Sequence, residues 1–101
     1  MTPIYEASTS LATFLVNRLL ESPSITPQRL LTACDLLLGA HLMAHHMGTD
    51  WMETFPLSQA SIELERLARE GQNPVHWLDG KEVDYTSALR ALLTKVEGDR
   101  D

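Results

Sequence analysis

Residues 30–47 read LLTACDLLLGAHLMAHHM, and no other stretch constrains the fold as strongly. Twelve of these eighteen residues are Leu, Ala, Met or Cys, and Asp35 is the only formal charge. Thr26-Pro27 precedes the run as N-cap and first helical residue. Gly48 follows it, where a left-handed stop belongs. The pattern predicts one long helix. At about 100° per residue, Gln28, Thr32, Asp35, Gly39 and His46 fall on a single narrow polar strip. A helix that is apolar nearly all round is either central in its domain or shared with a partner. The expectation is therefore that this helix is the most buried element of the chain.

Proline and glycine divide the rest. A first helix is predicted from Pro3 to Glu21, with Thr2 as a candidate N-cap and Ser8 or Ser10 as alternative starts. Ile4, Leu11, Leu15 and Leu19 form its expected inward stripe, widened by Ala12 and Phe14. Pro23 biases Ser22 away from helix and sets the stop. The loop 49–56, TDWMETFP, carries a candidate one-turn start at Asp50-x-x-Glu53. A third helix over Leu57–Glu70 turns Leu57, Ala60, Leu64, Leu67 and Ala68 inward. Glu65–Arg69 and Arg66–Glu70 stand one turn apart on it. Asn73-Pro74 suggests a short turn through Trp77 and Leu78. A last helix over Asp84–Glu97 turns Ala88, Leu89, Leu92, Leu93 and Val96 inward. Period-two alternation is absent, so no strand is expected. The fold class is all-α: one small bundle of four principal helices, residues 1–101, with a central, highly apolar second helix and a frayed tail at 98–101.

With 101 residues the chain has room for one hydrophobic core and no second. Eight basic against fourteen acidic residues leave a net charge of -6, which disfavours a direct grip on a nucleic-acid backbone. The single Cys34 excludes an internal disulfide and a thiolate zinc knuckle. Glu6 is the first charge, where a signal peptide wants Lys or Arg, and Asn17 and Arg18 break the apolar stretch 11–20. No segment is apolar enough to span a bilayer, so a cytoplasmic location and no membrane partner are expected.

Candidate chemistry is sparse. His41 and His45 stand four apart on one helix, the spacing at which two imidazoles share a metal. Asp50 or His76 are the candidate third ligands. Cys34 is excluded, because seven helical residues rise about 10.5 Å. The intervening residues are Leu42, Met43 and Ala44, so the glutamate of a zinc-protease helix is missing. The expectation is no metal and no cofactor, with the His pair as the alternative. Cys34 lies mid-helix among leucines, where burial makes a thiol inert. None of Ser8, Ser10, Ser58, Ser61 or Ser87 sits in a nucleophile elbow, and no phosphate loop exists. A nucleophile, base and cofactor loop cannot be assembled, so the chain is expected not to be an enzyme.

Two features point to binding instead. Three of the fourteen acidic residues lie in 1–49 and eleven in 50–101, which raises the alternative of an acidic nucleic-acid mimic. Trp51, Met52 and Phe55 cluster in one loop just after Met43 and Met47, and interfaces favour such residues. The leading expectation is a regulatory protein-interaction module. Its docking surface is expected to comprise Leu38, Leu42, Met43, Met47, Trp51, Met52 and Phe55, and a homodimer or a complex with a partner protein is expected. In size, charge and helix content the whole chain resembles the small acidic helical anti-activators with which some bacteria restrain quorum-sensing transcription factors by occupying their dimerisation surface. No motif carries this resemblance, and it assigns no residue. It implies a transcription regulator as the partner.

Overall fold

The computed structural model describes residues 3–72 and 83–98. The expected cap at Thr2, the turn through Trp77 and Leu78, the third ligand His76 and the end of the tail lie outside them. Four α-helices and one 3-10 turn make up the described chain, with no strand among the described residues. They are α1 (Pro3–Glu21), α2 (Pro27–His46), the 3-10 turn (Trp51–Thr54), α3 (Phe55–Gly71) and α4 (Tyr85–Glu97).

Local signals explain most boundaries. The Thr26 side chain accepts a hydrogen bond from the Arg29 backbone N–H at 3.3 Å, with Pro27 beginning α2. Gly48 takes a positive φ of 96° and turns the chain out of α2. Asp50 Oδ1 accepts from the Met52 N–H at 2.9 Å and starts the 3-10 turn. Asp84 caps α4 by accepting from the Ser87 N–H at 3.0 Å. The third helix begins two residues before its expected start, because Pro56 fits the first turn, where no intrahelical donor is needed.

The centre of the bundle is α3, not α2. Helix α3 packs against α1, α2, α4 and the 3-10 turn. Nine of its seventeen residues are buried, against five of twenty in α2. The expectation of a central second helix is thus overturned. Only one seam of α2 is covered: Leu30, Ala33, Cys34, Leu37 and His41. High apolar content reports how much surface a helix offers for burial. It does not report how many neighbours arrive to cover it.

The stripe expected for α1 is observed in part: Ala12 and Leu19 are buried and Leu15 packs against the core. Its buried residues are Ser8, Thr9, Ala12, Val16 and Leu19, whereas Ile4, Leu11 and Phe14 are exposed. Small residues at the seam let the α1 backbone approach its neighbours, and the larger apolar side chains are left on the flank. The stripes expected for α3 and α4 are the ones observed. Leu57, Ala60, Leu64, Leu67, Ala68, Leu89, Leu92 and Val96 are core residues, with Ala88 and Leu93 packed against them.

Candidate functional site

Seven residues were expected to form a docking surface, and all seven are exposed: Leu38, Leu42, Met43, Met47, Trp51, Met52 and Phe55. They do not form one patch. With the buried seam of α2 as reference, helical geometry puts Leu38 and Leu42 on one flank and Met43 and Met47 on the other. The polar strip of Gln28, Thr32, Asp35, Gly39 and His46 runs between the flanks and is exposed along its whole length.

Trp51 belongs to the Leu38/Leu42 flank. Its ring meets His41 edge-to-face at a centroid distance of 4.1 Å and 81°, and His45 at 5.6 Å and 84°. These histidines are the helical neighbours of Leu38 and Leu42. The chain reaches this position through a fixed reversal. Gly48 N–H donates to His45 O at 3.0 Å, and Thr49 N–H donates to Ala44 O at 2.9 Å. Thr54 secures the other side of the turn. Its hydroxyl lies 2.7 Å from Nδ1 of His41 and 3.4 Å from the Trp51 carbonyl. Trp51 is therefore an anchored ring with about half its surface open, a form suited to a rigid recognition contact. Phe55 and Ile62 extend the exposed apolar surface along one face of α3. Ile62 was not among the expected site residues, since a lone isoleucine in a charged helix carries no periodic signal.

The histidine pair has a structural employment. His41 is fully buried, with Nδ1 engaged by Thr54 and its ring against Trp51. Nε2 is buried with no hydrogen-bond partner among the described residues. Asp50, a candidate third ligand, is occupied as the cap of the 3-10 turn. No group of three His, Cys, Asp or Glu side chains among the described residues is placed to hold a metal ion. Cys34 is buried, and desolvation pushes its thiol pKa up, with the Glu65 and Asp35 carboxylates adding to the rise. That is the opposite of what activates a thiolate.

The acidic half is matched on α3 by its own bases. Glu63 pairs with Arg66 at 2.9 Å and with Lys95 at 3.3 Å. Glu70 pairs with Arg66 at 2.6 Å, and Glu65 pairs with Arg69. Glu63 has its pKa lowered chiefly by the Arg66 hydrogen bond, against a smaller upward effect of burial.

On the opposite flank, Leu36 joins Met43 and Met47, and it was also missed in the sequence. It borders a groove of about 290 Å³ between α1 and α2, lined by Leu15, Arg18, Leu19, Arg29, Ala33 and Leu36 among others. No helix among the described residues is long and apolar enough to cross a membrane. A scan against protein-family models, a search of curated proteins and a search of solved structures each return no match.

Proposed function

We propose that this chain is a small regulatory protein-interaction module that docks an apolar helical surface on a partner protein, and that it is not an enzyme. The observation that carries the reading is the anchored, half-open ring of Trp51 against His41 and His45, on the flank of α2 that carries Leu38 and Leu42, with Met52 and Phe55 exposed in the same segment. Interface energy concentrates on rigid aromatics seated among apolar neighbours. The net charge of -6 favours a partner with a basic rim, which speeds encounter more than it adds affinity. Restraint of a transcription regulator in the cytoplasm is the regulatory role this reading assigns.

The test is affinity capture from the native cell lysate with mass-spectrometric identification. Leu42→Arg and Trp51→Ala should each abolish recovery of the specific partner while retaining wild-type helicity. Wild-type recovery by both folded variants would remove this surface from the function.

A further inference from the structure

We infer that α1 and α2 together form half of an antiparallel four-helix bundle, and that a second copy of this chain supplies the other half. The surface involved is distinct from the Trp51 flank. On α2 it consists of Arg29, Ala33, Leu36, Ala40, Met43 and Met47, spaced by four and three residues in strict alternation. On α1 it consists of Ile4, Ala7, Leu11, Phe14 and Arg18, in the same alternation of three and four. That heptad spacing places each set on one stripe of its helix, as helices packed side by side in bundles require.

The two helices share one groove at the end where α1 turns into α2, where Gln28 and Thr32 of the polar strip also border it. Leu15 and Arg18 from α1 and Arg29, Ala33 and Leu36 from α2 line it together. The large apolar residues of the stripes are open: Phe14 is 58%, Leu36 58%, Met43 60% and Met47 78% exposed, while the small Ala33 and Ala40 sit against the core of their own chain. Six of the twelve exposed large hydrophobics among the described residues lie on them: Ile4, Leu11, Phe14, Leu36, Met43 and Met47. Their summed uncovered area is on the order of 700 Å² per copy, near the ~800 Å² per partner of a standard stable interface.

Shape and charge favour a second copy as the occupant. Two neighbouring antiparallel helices with heptad stripes of similar length are self-complementary under a two-fold axis. The stripes carry Arg18 and Arg29 at the end where α1 turns into α2, and Asp50, exposed and with only Oδ1 taken by the Met52 N–H among the described residues, follows Met47 at the far end. Among the described residues, Arg18 meets an exposed Glu21 at 4.0 Å, and Arg29 donates to the Ser22 hydroxyl at 2.6 Å. Antiparallel pairing brings the basic end of one copy to the Asp50 end of the other, twice.

Sedimentation and light-scattering mass across a concentration series test the inference. Wild-type protein should reach twice 11.3 kDa. Phe14→Glu and Met43→Glu should each weaken association at least about tenfold with helicity unchanged, since charge at the centre of an apolar interface is strongly unfavourable. Leu42→Glu, on the other flank, should stay dimeric while losing partner capture. A wild-type chain that remains monomeric at the highest concentration overturns the inference. So does wild-type association affinity in the folded Phe14→Glu and Met43→Glu variants, or a dimer that is lost in Leu42→Glu alone. Both disrupting substitutions are at exposed positions, and either one that folds decides the question.

Discussion

Nδ1 of His41 lies 2.7 Å from Oγ1 of Thr54, and both residues are sealed from solvent. The contact joins α2 to the 3-10 turn thirteen residues later, and it holds the segment that presents Trp51. Thr54→Val would leave a buried nitrogen without its partner, at a cost of about 1–3 kcal/mol. Adding His41→Leu removes the orphaned group and should recover much of that loss. Chemical denaturation of the two single variants and the double variant measures the coupling. An additive double variant would show that the contact contributes nothing.

The two sides of α2 should respond very differently to truncation. Leu37 is fully buried, and Leu37→Ala should cost about 2–5 kcal/mol. Leu42 is about half exposed, and Leu42→Ala should change stability by no more than about 0.5 kcal/mol. Equal losses at the two positions would mean that the outer flank is covered in solution. The comparison is made below the association concentration, so that self-assembly does not mask it.

Gly71 is required by packing and not by backbone conformation. It is the last residue of α3, and a Cβ there would run into the Tyr85 hydroxyl and ring, with Pro27 Cγ also near. Gly71→Ala should destabilise by about 1–3 kcal/mol, as overpacking does. Tyr85→Phe removes the nearest obstructing atom and should relieve part of the penalty in the double variant. Thermal melts of the four proteins read the relief. A Gly71→Ala variant as stable as wild type would show that α3 and α4 part easily at this end.

Glu63 is a small, pH-dependent source of stability. Its folded pKa lies below the ordinary value of 4.5, chiefly because Arg66 donates to it. The unfolded chain therefore takes up its proton first as the pH falls. The stabilisation is complete above about pH 4.5 and is lost as the pH drops through the lower folded value. Glu63→Gln should cost no more than about 1 kcal/mol near neutrality and approach zero in acid. A deficit that persists unchanged at low pH would assign the effect to packing.

The sequence by itself determined most of the helix boundaries among the described residues, with the start of α3 displaced by two residues. Thr26-Pro27, Gly48 and Asp50 act through bonds and dihedrals within a few residues, so the signals they carry are observed, and Asp84, expected as the first residue of the last helix, is its cap. The amphipathic faces of α3 and α4 were equally legible, because each carries a single stripe with charged flanks and only one face can turn inward. Tertiary structure alone decided which helix lies at the centre. Helix α2 offers apolar side chains in nearly every direction, and periodicity cannot select a face when most faces qualify. Helix α3 took the central place, leaving α2 with one covered seam and two open flanks. The pairing of His41 with Thr54 was likewise invisible in sequence. It depends on the chain reversal at Gly48, which sets two polar groups from different elements in one buried pocket.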